Sequence, residues 1–199
     1  MTLTRLARPL LAGFALLATS LPLALAPATA QAEDDPSLLS LGFGQYDTTI
    51  INNSSVSLLK KSSDTAYHRS LDIRGEYRFG YSLIPFIEPY AKFKPWVGIE
   101  VNTDGMFYGI GGFLLDINVG PVVFTPSIGV GAWTRGGSKE LGSTVEFRSM
   151  LEVGYKFENN MRLTAYFSHM SNASIGNINP GANTAGAYIH VPVSMLFGS

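Results

Sequence analysis

The sequence predicts an all-β protein, an eight-stranded antiparallel transmembrane β-barrel preceded by an export signal. Three observations carry this. Long segments alternate between apolar and charged positions. Past residue 32, no apolar run approaches the roughly 20 residues that a membrane helix needs. The connections between the alternating segments also differ in length in an ordered way. The 199-residue chain fits one domain and has 21 glycines, 12% aromatic residues and no cysteine, a composition suited to a barrel. Its net charge of −1 gives no electrostatic footprint for nucleic acid.

The N-terminus reads as a secretory signal peptide. Arg5 and Arg8 stand in a head without acids, an apolar run extends from Pro9 to Ala26, and two small-residue sites follow, Ala28-Thr29-Ala30 and Ala30-Gln31-Ala32. Pro22 and Pro27 sit where a membrane anchor would need helix. The expected division is a signal peptide over 1–32, cleaved near Ala30 or Ala32, and a barrel domain over 33–199. Lacking cysteine, the exported chain has no disulfides to stabilise it.

The strands follow in order. The first is expected at 38–47. The second, 67–79, sets His68, Ser70, Asp72, Arg74, Glu76 and Arg78 against Leu71, Ile73, Gly75, Tyr77 and Phe79. Successive strand side chains point to opposite faces, so this segment separates two very different environments. The third, 86–101, opposes Ala91, Phe93, Val97, Ile99 and Val101 to Glu88, Lys92, Lys94 and Glu100. The fourth and fifth, 106–119 and 121–133, meet at Gly120. In the sixth, 144–157, Val145, Phe147, Leu151, Val153, Tyr155 and Phe157 oppose Glu146, Arg148, Glu152 and Lys156, and Ser149 interrupts the apolar face. The seventh covers 160–171. The eighth, 184–197, sets Ile189, Val191, Val193, Met195 and Phe197 against Tyr188, His190 and Ser194. Several reach the 9–11 residues needed to cross a bilayer at a tilt.

Short connections are expected at Gly80–Pro85, Gly120 and Glu158-Asn159. Long polar ones are expected at Thr48–Ala66 and Asn172–Asn183, with an intermediate one at Thr134–Ser143 and a short exception at Asn102–Gly105. Outer-membrane barrels have short periplasmic turns and longer external loops, so odd strands run outward and even strands return. The rival is a soluble eight-stranded barrel, apolar inside and charged outside. Closely spaced charges of both signs suit a small lumen in which they pair. Tyr46, Trp96, Trp133, Tyr155 and Phe197, near strand ends, read as a membrane-interface belt.

The seventh strand breaks the pattern. Its odd positions are Met161, Leu163, Ala165, Phe167, His169 and Ser171, so an apolar face runs directly into a histidine and a serine. Polar groups facing hydrocarbon are costly unless satisfied. An odd strand places this pair at its outer end, at the level of the outer leaflet. Residues i and i+2 are about 6–7 Å apart along a strand, close enough for an imidazole to take a serine proton while the hydroxyl attacks an acyl carbonyl. Taken alone, without the membrane context, His-x-Ser is a weak motif, more readily read as a strand-end pair lining an interface.

The segment Phe167-Ser168-His169-Met170-Ser171-Asn172-Ala173, followed by Asn179-Pro180-Gly181, resembles the His-x-Ser-Asn-Ala signature of the lipid A 3-O-deacylase family. Pro126–Gly131, Leu141–Ser143 and Glu146–Arg148 are similar as well. The resemblance spans about the last 75 residues and implies an outer-membrane serine esterase that removes the 3-O-linked hydroxyacyl chain of lipid A, without a cofactor. By position, His169 would be the general base and Ser171 the nucleophile. Asn172 would help stabilise the oxyanion. The family's third member is a glutamate twelve residues after the serine, where this chain has Asn183. An asparagine can orient an imidazole through its carbonyl oxygen but cannot stabilise imidazolium by charge.

His68 and His190 are expected to line the lumen, and the sequence holds no metal-type cluster and no nucleotide motif. Lipid A or lipopolysaccharide and outer-membrane lipids are the expected partners, with a homodimer left open. Two other functions compete: a non-catalytic structural or lipid-binding barrel, which Asn183 favours, and an envelope phospholipid acyl-hydrolase.

Overall fold

The computed structural model describes residues 35–48, 51–52, 55–56 and 70–198. The expected signal peptide and His68 lie outside the described residues. Eight strands form one closed antiparallel barrel: β1 (Leu38–Tyr46), β2 (Ser70–Arg78), β3 (Lys92–Asn102), β4 (Phe107–Val119), β5 (Val122–Thr134), β6 (Val145–Lys156), β7 (Arg162–Ser171) and β8 (Ala182–Pro192). Each strand pairs with its neighbours in sequence. β1 closes the ring by pairing with β2 on one side and β8 on the other, from Leu38 opposite Pro192 to Tyr46 opposite Thr184. A two-residue ladder, Ile51–Asn52 with Ser55–Val56, lies in the first outer connection.

The alternation resolves into inside and outside as a membrane requires. Along β7, Arg162, Thr164, Tyr166, Ser168 and Met170 are buried in the lumen, while Leu163, Ala165, Phe167 and His169 face outward. Leu39, Leu41, Phe43, Val97, Ile99, Ile128, Leu151, Val153 and Ile189 are likewise exposed on the outer wall. A soluble barrel would invert this. The orientation therefore excludes the rival fold, because no water-facing surface of this size is built from leucine, isoleucine, valine and phenylalanine.

Paired charges fill the lumen. Arg74 bonds Asp72 at 2.6 Å and Glu100 at 3.1 Å. Arg148 bonds Glu76 and, at 3.0 Å, Glu100, with its guanidinium 4.6 Å above the Trp96 ring. Arg78 joins Glu76 to Glu152 at 2.7 and 2.6 Å, and Arg162 holds Asp116 through two bonds of 2.8 and 2.9 Å. His190 is fully buried against Ser40 and Thr164, at 2.7 and 3.0 Å, on the lumen side where its parity put it. Removing one partner of a buried ion pair strands a charge in low dielectric, at a cost of about 3–5 kcal/mol. Arg148→Met is accordingly expected to destabilise the barrel by about that amount, read as a lower urea midpoint for refolded protein in lipid vesicles. A change under about 1 kcal/mol would mean that the network does not hold the wall together.

At the inner rim, Lys94 reaches Asp35 at 2.6 Å and Asp116 at 3.0 Å, tying the segment before β1 across the lumen mouth. Burial alone would raise the Asp35 pKa, but the ammonium groups of Lys94 and, secondarily, Lys92 together outweigh it and hold the carboxyl below its ordinary value.

Four expectations change. Trp96, Trp133 and Tyr46, assigned to an interface belt, are buried inside. Their parity with polar or charged lumen residues (Ser40 for Tyr46, Lys94 and Glu100 for Trp96, Thr125 and Ser127 for Trp133), not their nearness to strand ends, decides their side; of the five, Tyr155 and Phe197 remain exposed. β3 begins at Lys92 rather than 86, because Pro85 opens a 3₁₀ turn over Pro85–Ile87. The inner connection from 79 to 91 is therefore longer than the expected short turn. Finally, β8 ends at Pro192, and Val193–Phe197 form a short helix. Pro192 has no N–H for the ladder, and its pairing to Leu38 is the last rung.

Candidate active site

The chemistry-bearing residues gather where β6, β7 and β8 reach the outer rim. His169 faces outward, exposed on the wall, and Ser171 is partly exposed two residues further out on the same face. In register, His169 stands between Ser149 of β6 and Asn183 of β8. Phe147 stands opposite Ser171. In the sequence, Ser149 was only a break in an apolar face, and nothing there tied it to the histidine.

Asn183 is the defined partner of the imidazole. Its side-chain oxygen lies 2.8 Å from His169 Nδ1. An amide oxygen only accepts, so Nδ1 carries the proton and donates it. Nε2 is left with its lone pair, the state a general base requires. The Asn183 backbone is held from both sides, by its pairing to His169 in β7 and by the Thr48 N–H, which donates to its carbonyl at 2.9 Å.

Asn172 does something else. It is fully buried, and its side-chain amide donates to the carbonyls of Leu141 and Ile178, both at 2.7 Å. Its side-chain oxygen accepts the Ser174 N–H at 2.9 Å, and its own N–H donates to Asn179 at 3.1 Å. Both amide hydrogens are thus committed to backbone carbonyls, so the side-chain oxyanion donor expected at this position has no free hydrogen to give. Asn172 instead ties the turn after β7 to the loop before β6. Ala173 and Ser174 adopt positive φ of 51° and 65° to make that turn.

Among the described residues, no group of three histidine, aspartate or glutamate side chains is arranged to hold a metal ion. What the arrangement offers is acyl-transfer chemistry: a serine two residues along the same outward face from an imidazole that is oriented by an amide, on a wall that faces lipid.

A family model described as lipid A 3-O-deacylase (PagL) matches residues 46–192. The crystal structure of the outer membrane enzyme PagL superposes with a TM-score of 0.56 at 16% identity, covering 78% of this chain and 99% of that one. A de novo designed transmembrane β-barrel gives 0.47 at 13% identity, covering 79% and 97%. The Yersinia pestis outer membrane protein Ail gives 0.44 at 12%, covering 79% and 99%. No curated protein sequence matches.

Proposed function

Because this chain belongs to the lipid A 3-O-deacylase family, an outer-membrane family of ester hydrolases, we propose that Ser171, His169 and Asn183 are its catalytic residues. His169 Nε2 takes the proton of Ser171 Oγ as the oxygen attacks the carbonyl of the 3-O-linked hydroxyacyl ester of lipid A. The protonated imidazole then delivers that proton to the departing sugar oxygen, leaving an acyl-serine. Water, activated by the same nitrogen, releases the fatty acid and restores the serine. No cofactor enters. Asn172 supports the turn that carries Ser171 and is not assigned to the oxyanion.

The observation that carries this reading is the 2.8 Å contact between His169 Nδ1 and Asn183 on the lipid-facing side of the wall. A polar pair there is expensive unless it works on something in the membrane. All three residues come from one chain, so the reaction does not require a second copy.

Mass spectrometry of lipid A, from cells with and without the protein, tests the proposal. Loss of one hydroxyacyl chain is the expected result. Unchanged lipid A with lysophospholipid accumulating would assign the site to a phospholipid acyl-hydrolase. No change in either lipid class would leave a barrel without this activity.

A further inference from the structure

We infer that Gly181 is a positioning residue for the general base: its missing side chain leaves the space in which the His169 imidazole lies. This rests on the reading of His169 and Ser171 as the reacting pair. The β7–β8 register ends with Met170 opposite Ala182, so the next step outward places Gly181 across from Ser171. The imidazole leans into that gap. A Cβ built on Gly181 would sit 2.7 Å from His169 Cε1 and 3.3 Å from Nε2, with the Met170 carbonyl oxygen 3.2 Å away.

Those distances decide what would yield. The Met170 carbonyl belongs to the β7 backbone and is fixed by the sheet. The imidazole is the end of a side chain on a rotatable stem. Any Cβ at 181 therefore moves the ring, and moving the ring pulls Nδ1 from Asn183 and carries Nε2 away from the hydroxyl it serves. Gly181 also has φ of +61°, a left-handed backbone that glycine adopts without cost. The two demands coincide at one residue, and the test has to separate them.

Three variants do so. Gly181→Ala introduces both the contact and the backbone strain. Gly181→Asn introduces the contact with less strain, because asparagine tolerates the left-handed region. Gly120→Ala introduces strain alone: Gly120 has φ of +59° and nothing within 4 Å of its would-be Cβ. All three are compared for heat-modifiable gel mobility, for turnover and KM on lipid A in mixed micelles, and for the ¹⁵N NMR signals of the His169 ring.

Both Gly181 variants are expected to fold and to lose about 10²-fold in turnover, the scale of an ångström-level misplacement of a catalytic group. KM should change little, and the ring should lose its single Nδ1-protonated form. Gly120→Ala should behave as wild type. Recovery of turnover in Gly181→Asn would overturn the inference, because strain and not contact would then be the cause. An unchanged ring spectrum in either Gly181 variant would overturn it equally. The ring spectrum needs no substrate, so it judges the inference even if wild-type protein leaves lipid A intact, a result that would sink the catalytic reading instead.

Discussion

Ser171→Ala is expected to stop release of the hydroxyacyl chain, lowering turnover by at least about 10³-fold. His169→Ala should lower it to the same floor. The two residues act as one unit: without the hydroxyl there is nothing for the imidazole to deprotonate, and without the imidazole the hydroxyl stays protonated at neutral pH. The double variant should consequently be no worse than either single one. Such non-additivity separates a nucleophile–base pair from two residues that merely contact substrate, whose losses would multiply. His169 is exposed on the wall and Ser171 partly so, and neither packs the lumen, so heat-modifiable mobility should be that of the wild type. Turnover surviving in Ser171→Ala would remove the serine from the mechanism. Singles that fold but multiply in the double would leave the pair as a binding surface only.

The sequence made the outer position of this pair readable through parity alone. Once Leu163 and Phe167 face lipid, His169 and Ser171 must do so too, whatever the details of the barrel. Parity also placed His190 inside. Parity places Trp96 inside as well, on the face opposite Val97 and in phase with Lys94, and it overrides the general tendency of tryptophan to gather near membrane interfaces. The end of β8 was hidden for another reason. Val193, Met195 and Phe197 continue the period of two, but Pro192 has no N–H to donate to the ladder, and after one further bond, from the Val193 N–H to the Ser37 carbonyl at 2.9 Å, the chain turns into helix.

The site itself was only half legible. The contact of Asn183 with His169 depends on which residues of β7 and β8 stand opposite one another. The outer turn from 172 to 181 sets that register, and no local pattern in the sequence fixes its path. Asn172 looked like an oxyanion donor because it follows the nucleophile. Its hydrogens instead go to Leu141 and Ile178, and the Leu141 bond joins segments 31 residues apart that meet because β6 pairs with β7, with Phe147 opposite Ser171. Gly181 carried no chemical signal, since its contribution is the side chain it lacks.

Asn183→Leu is expected to lower turnover by about 10²-fold with KM almost unchanged. Leucine cannot accept from Nδ1–H, so the ring loses both its orientation and its preference for the tautomer that leaves Nε2 free. The acidic replacements test the other half of the role. In the acyl-transfer step the imidazole becomes a cation, and Asn183 can answer that charge only with a dipole. A hydrogen bond to a charged partner contributes about 1.5–3 kcal/mol, against about 1 for a neutral pair, so a carboxylate should recover roughly tenfold in rate. Asn183→Asp keeps the length that gives the present 2.8 Å contact and is the variant expected to be faster. Asn183→Glu restores the family's acid on a longer stem, and turnover should hold or rise. Both gains should fade as the pH falls through the pKa of the new carboxyl, since a protonated acid is again only a dipole. The assay is fatty-acid release from lipid A across that pH range. A clear loss of turnover in both acids, or a wild-type rate in Asn183→Leu, would mean that the residue at 183 does not serve the imidazole. The ring would then owe its direction to the strand and to the space above Gly181.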